Sequence, residues 1–182
     1  GDQAVGKTSI YMRMQNYEMP TEYTPTVFDN FSDTYKYIDR NTINLHYWDT
    51  AIHEGKFRIF RIFPGVELFL LSFSCGSDSS MESLISKWFP ECIKYCPNII
   101  LVCTKTDLRN EKTFCKRLTE KFQRKPIGFE QGELLARKMG CITYLETSSF
   151  NNEGIKDLTE IIAKSIVIAS NSTLKQKKCM LQ

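Results

Sequence analysis

Three stretches of this chain are apolar almost without interruption: VELFLLSFS (Val66–Ser74), NIILVCTK (Asn98–Lys105) and CITYLETSS (Cys141–Ser149). A strand with one wet face alternates, whereas a continuous apolar run belongs to a parallel strand covered on both faces. Helical stretches lie between and after them, at Met81–Tyr95, Phe129–Met139 and Gly154–Ala169, and INLHYW (Ile43–Trp48) alternates as a further strand. The pattern predicts an α/β domain, a mostly parallel central sheet with helices on both faces. Ligands of such sheets bind at the carboxyl ends of the strands. All the chemistry-bearing motifs but one sit just after these strands, and that one lies at the start of the chain.

With 182 residues, 42% hydrophobic and 25% charged, the chain has material for one full core. A net charge of +3 is too mild to point to nucleic acid. No apolar run approaches the roughly 20 residues of a membrane span, and no signal peptide is recognisable. Seven cysteines at irregular spacing, with no CxxC, fit a reduced, intracellular chain. His46 and His53 share no metal-ligand spacing. The first residue is Gly1 rather than Met, so a strand is expected upstream of it, central in the sheet.

GDQAVGKTS (Gly1–Ser9) fits G-x-x-x-x-G-K-[ST]. A loop of this spacing wraps backbone N–H groups around phosphates, the following helix N-terminus adds positive potential, and the lysine reaches the β- and γ-phosphates. The candidate cradle is Gly1, Ala4, Gly6, Lys7, Thr8 and Ser9, with the Thr8 hydroxyl for Mg²⁺. The plain alternative is a chance match in a glycine-containing loop. CTKTDLR (Cys103–Arg109) ends a buried strand on Thr104, Lys105 and Asp107. A carboxylate accepts two hydrogen bonds from adjacent donors. Guanine offers that pair in N1–H and its 2-amino group, and adenine does not. Lys105 can lay its stem over the base; the plain alternative is a solvated charge cluster. Ser148 and Ser149, in ETSS after the last strand, can aim backbone N–H groups at the guanine O6.

The set resembles a small GTPase of the Ras superfamily and, within it, the Rho family, over nearly the whole chain. PTEYTPTVFDNF (Pro20–Phe31) resembles switch I, the effector loop; the resemblance implies that Thr26 coordinates Mg²⁺ and senses the γ-phosphate, and that effectors bind at Tyr23–Phe31 and at switch II. WDTA resembles switch II, with Asp49 holding Mg²⁺ through water. TKTD resembles the guanine motif typical of Rho proteins. The charged, helix-prone segment Asn110–Ile127 resembles the Rho insert, its plain reading being a solvated helix. The family implies GTP/GDP and Mg²⁺ as ligands, a monomer, and exchange factors and guanine-nucleotide dissociation inhibitors as partners. Actin regulation is a fold-level analogy.

KQKKCMLQ ends as a C-a-a-X prenylation signal on Cys179, with terminal Gln182 leaning towards farnesyl over geranylgeranyl. Lys175, Lys177 and Lys178 precede it and serve as the basic second signal that one lipid chain needs. The expected location is the cytoplasmic face of membranes, with a cytosolic pool. The domain is expected to span Gly1–Ala169, and Ser170–Gln176 to form a disordered linker within the tail Ser170–Gln182.

Four positions depart from the Rho pattern. Gln3 replaces the middle glycine of GDGAVGKT and fills the room used by the hydrolytic water and an activator's arginine. Ile52 replaces the switch II glycine, whose N–H bonds the γ-phosphate; a β-branched residue is costly at positive φ. His53 replaces the glutamine that orients the attacking water, and imidazole has donor and acceptor on different sides of its ring. Met19 replaces a phenylalanine near the guanine. In GKFRIFRIFPG (Gly55–Gly65), Phe57, Phe60 and Phe63 are partner-facing or core-packing residues rather than catalytic ones. The contacts that hold GTP survive while those that cut it are altered, with Lys7, Thr26 and the degenerate His53 as the catalytic positions. A GTP-biased switch with weak hydrolysis is thus expected. The alternatives are a pseudo-GTPase interaction module that binds nucleotide poorly, and an unrelated P-loop ATPase or kinase, which Asp107 argues against.

Overall fold

The computed structural model describes residues 1–19, 29–36, 42–49 and 63–179, with side chains described outside 29–36 and 170–179. Strands β3 (Phe69–Ser74), β4 (Ile99–Thr104) and β5 (Thr143–Glu146) form a parallel sheet in that order. Leu71 pairs with Leu101, and Leu101 in turn with Tyr144. Every residue of β4 is buried. Its alternate side chains enter opposite cores, which is why the run is apolar throughout. Leu101 and Cys103 join Phe73, Leu84, Trp88 and Tyr144 on one face. Ile100 and Val102 join Ile10, Leu45, Leu158 and Ile162 on the other.

A separate antiparallel pair is made by β1 (Asp29–Lys36) and β2 (Thr42–Asp49). The sequence of β1, DNFSDTYK, has no apolar alternation and was not expected to be a strand; its backbone is extended because it pairs with β2 along its full length. Among the described residues no strand joins β2 to β3. A cleft of about 480 Å³ lies there instead, lined by Leu45 and Tyr47 of β2, Leu70 of β3, Ile10, Trp88 and Ile162.

The helices are α1 (Lys7–Met14), α2, α3 (Lys112–Phe122), α4 (Phe129–Met139) and α5 (Ile155–Cys179). Helix α2 is composite: α-helical at Asp78–Ser83, a wide π-turn at Leu84–Trp88, and α-helical again at Phe89–Cys92. It begins before the expected Met81 because the Ser77 hydroxyl caps it, accepting from the Ser80 N–H at 3.2 Å. Helix α3 falls within Asn110–Ile127 and is mostly exposed, with Leu118 buried. It is anchored beside β3: Ile127 N–H donates to Cys75 O at 2.8 Å, and Arg124 pairs with Asp78 at 2.8 Å.

Helix α5 does not stop at Ala169. It runs on to Cys179, through Ser170–Gln176 where a linker was expected, since no glycine or proline interrupts Ile155–Cys179 and its Leu, Lys and Gln residues favour helix. The strand expected from Val66 starts at Phe69, after Gly65 at φ 87°. Phe63 is a core residue, edge-on to Phe69 at 4.9 Å and to Tyr95 at 5.4 Å. Phe57 and Phe60 lie outside the described residues.

Candidate functional site

The site is assembled where loops leave the sheet at the carboxyl ends of its strands. At the start of α1, Ala4 (φ 57°) and Gly6 (φ 111°) both adopt left-handed backbone. These turns fold residues 1–6 over the helix N-terminus, whose first N–H groups have no intrahelical partner. At φ 111° only glycine is relaxed, which explains Gly6 of the motif. Val5 anchors the loop in the core, and Gln3 and Ala4 are exposed. Ser9 is half-buried in the first turn of α1.

The Lys7 ammonium folds back across the loop and donates to Asp2 O at 2.7 Å and Gly1 O at 3.2 Å. Burial lowers its pKa, opposed by the negative charges of Asp49 and Asp2. A cation held against carbonyls by a partly dehydrated loop suits exchange of those contacts for phosphate oxygens. The Thr8 hydroxyl donates to Oδ2 of Asp49, which is buried at the end of β2. A hydroxyl and a carboxylate brought into contact are hard oxygen donors of the kind Mg²⁺ takes. Among the described residues no three His, Cys, Asp or Glu side chains converge as a metal cage, so this pair is what the described site offers a cation. Thr26, Ile52, His53 and residues 23–28 of the switch I stretch lie outside the described residues. Met19 is half-buried.

The base-reading loops lie beside this cradle. Lys105 adopts a left-handed backbone, φ 57°, and its Nζ donates to Ala4 O at 2.8 Å, so its stem runs from one motif to the other. Asp107 lies in the next turn, Thr106–Arg109, and its Oδ1 accepts from the Ser148 hydroxyl at 2.6 Å. Loop β5–α5 is tied back twice: Thr147 N–H donates to Cys103 O at 2.8 Å, and Arg13 Nε of α1 donates to Ser149 O at 2.7 Å. Two of the residues expected at the base site have partners within the protein. The Ser148 amide donates to Glu153 O at 3.0 Å, so that serine orients Asp107 and the amide left for a base oxygen is that of Ser149. The buried Thr104 hydroxyl donates towards Val5 O at 2.5 Å and Phe73 O at 3.1 Å, so it ties the cradle to the sheet.

Beneath the base loops lies a network that sequence reading missed. Arg109 grips Glu146 with two hydrogen bonds, at 2.5 and 2.6 Å, and Tyr144 donates its hydroxyl to the same carboxylate at 2.6 Å. Burial alone would raise the Glu146 pKa, but the Arg109 and Tyr144 hydrogen bonds outweigh it and hold the carboxyl below its usual value. Tyr144 reaches this place because α4 passes it with Gly132, where an added Cβ would lie 2.2 Å from the phenol. The network fixes both ends of the base site, since Arg109 follows Asp107 in the turn and Glu146 precedes Thr147. An arginine two residues after an aspartate gives no sequence sign of such a partner.

A family model described as the Ras family matches residues 1–168.

Proposed function

We propose, from the premise that the chain belongs to the Ras family of small GTPases, that it is a membrane-tethered GTP switch of the Rho type with weak hydrolysis. Proteins of this family bind GTP or GDP with Mg²⁺, and the residues described above fit those ligands. Lys7 and the amides of the first loop suit the phosphates. Thr8 and Asp49 suit the cation, which when bound offsets phosphate charge. Asp107, Lys105 and the Ser149 amide suit guanine. The observation that carries the reading is the Lys105–Ala4 hydrogen bond at 2.8 Å. It joins the phosphate loop to the base loop, so that one molecule with a base at one end and phosphates at the other spans both.

The Rho assignment rests on TKTD, on the switch I stretch and on the helix at Lys112–Phe122, in the place of an insert. The effector surface is Tyr23–Phe31 with switch II, and attachment is through a prenylated Cys179 beside Lys175, Lys177 and Lys178. Weak hydrolysis follows from Gln3, Ile52 and His53. Gln3 is exposed in the phosphate loop, which supports the reading that its side chain obstructs a helper's arginine.

A second reading, a module that keeps the fold but holds nucleotide poorly, is favoured by the cleft between β2 and β3. Denaturing the purified chain and identifying what it releases separates the two. Guanine nucleotide at close to one per chain is expected. Nothing released supports the second reading, and an adenine nucleotide overturns both.

A further inference from the structure

The carboxylate of Asp2 points away from the phosphate loop that carries it and is held by helix α2. Its Oδ1 accepts from the Ser83 hydroxyl at 2.7 Å and from the Trp88 indole Nε1 at 2.8 Å. The two donors are five residues apart. On a regular α-helix that spacing puts side chains about 140° apart around the axis, too far round to meet on one oxygen. Here the intervening turn is wide: Phe89 N–H donates to Leu84 O, an i→i+5 bond, and residues five apart return to one side. The sequence supplies a reason. Pro90 follows directly, has no N–H to give, and in a regular helix its ring would strike the carbonyl of Ser86.

The two halves of this arrangement differ in freedom. Trp88 is buried in the main core, so its N–H is a fixed point. Asp2 belongs to the loop whose carbonyls, its own and that of Gly1, receive the Lys7 ammonium. A carboxylate in a phosphate loop is a liability, because turned towards the ligand it would repel it. The two donors from α2 satisfy the carboxylate and hold it away from the phosphates while its own carbonyl faces Lys7.

We propose that Asp2 is a positioning residue: clamped to Ser83 and Trp88 across the wide turn of α2, it sets the phosphate loop and retards nucleotide release. The inference rests on the guanine-nucleotide reading, and the experiment separates failure of one from failure of the other. Release of a fluorescent GDP analogue is followed in Mg²⁺ for the full chain and for Asp2→Ala, Asp2→Asn and Trp88→Phe. Loss of a hydrogen bond to a charged group is expected to speed release roughly tenfold in Asp2→Ala and in Trp88→Phe, which keeps the ring and loses the donor. Asp2→Asn keeps an acceptor oxygen and is expected to stay within about twofold of the parent. The preference for GTP over ATP is expected to be unchanged in all three, since the base loop is untouched.

Amide hydrogen exchange of Gln3–Val5 provides a readout without nucleotide, and it is expected to quicken in Trp88→Phe. If the parent chain binds no guanine nucleotide, the nucleotide reading fails and the exchange result alone decides whether the clamp holds the loop. Parental release rates in both Asp2→Ala and Trp88→Phe overturn the proposal. So does an Asp2→Asn protein as fast as Asp2→Ala, or unchanged exchange in Trp88→Phe.

Discussion

The Ser148 hydroxyl donates to Oδ1 of Asp107 at 2.6 Å, across the gap between two loops that leave different strands. The bond engages Oδ1 and restrains rotation of the carboxylate. Asp107→Asn keeps an oxygen for Ser148 and so turns its NH₂ towards the base, where a guanine also presents donors. Guanine preference is expected to disappear, read as loss of the advantage of GTP over ATP in competition for a fluorescent nucleotide. Ser148→Ala, which frees the carboxylate to rotate, is expected to weaken GTP binding by roughly tenfold, about 1.4 kcal/mol. Unchanged competition in Asp107→Asn contradicts the assignment of the base site.

How far the sequence foretold this site depends on whether a feature is local. The phosphate loop, β4 and the Asp107 turn were legible because each is a run of neighbouring residues with one physical demand. The use of Thr104 and the Ser148 amide was not, since both depend on which backbone groups lie opposite once the strands are in register. The clasp of Glu146 by Arg109 and the wide turn at Leu84–Trp88 were likewise invisible, the first joining residues far apart in the chain and the second arising inside an ordinary helical pattern. Strand β1 was missed because pairing with β2, rather than its own apolar spacing, makes it extended.

The Arg109–Glu146 pair gives a pH signature. The Glu146 carboxyl is held below its usual value in the folded chain. Its stabilising contribution is therefore complete above the unfolded glutamate value, about 4.3, and is lost as the pH falls through the lower folded value. Glu146→Gln is expected to cost on the order of 2 kcal/mol at pH 7, less than for a fully buried pair because both side chains keep some solvent contact. It is also expected to flatten the fall in thermal midpoint between about pH 5 and pH 3. An equally steep acid fall in the variant contradicts this role.

The cleft between β2 and β3 has the shape of a place for one more strand. Both facing edges lack a strand partner among the described residues, and apolar side chains from β2, β3, α1 and α5 line it. An extended, apolar segment joined ahead of Gly1 is expected to enter beside β3, because Gly1 packs against Ser72 so closely that a Cβ there would lie 2.1 Å from its carbonyl oxygen. Three apolar side chains buried in the cleft contribute roughly 5 kcal/mol, worth about 10 °C or more in thermal midpoint. Calorimetry of the chain with that segment, against one with a polar segment of equal length, checks this; equal midpoints contradict it.

Membrane attachment is expected to need both Cys179 and its basic neighbours. Cys179→Ser is expected to move the protein to the cytosolic fraction. Replacing Lys175, Lys177 and Lys178 with Gln is expected to weaken attachment by roughly 1 kcal/mol per lysine while lipidation persists. A Cys179→Ser protein that still sediments with membranes contradicts prenylation.

The most direct measurement is single-turnover phosphate release from bound GTP, with and without a Rho-type activating protein. An arginine supplied in trans is worth roughly 10³–10⁵ in rate, and the orienting glutamine is the other main aid. On the proposed reading, Gln3 obstructs the first, and an imidazole at position 53 is a poor substitute for the second because its donor and acceptor lie on different sides of the ring. Turnover no faster than about 10⁻⁴ per second is expected, with little response to activator. His53→Gln alone is expected to restore little, because Gln3 still fills the arginine's space, whereas Gln3→Gly, Ile52→Gly and His53→Gln together restore stimulation. Strong stimulation of the unaltered chain would contradict the proposal that it holds GTP without cutting it efficiently.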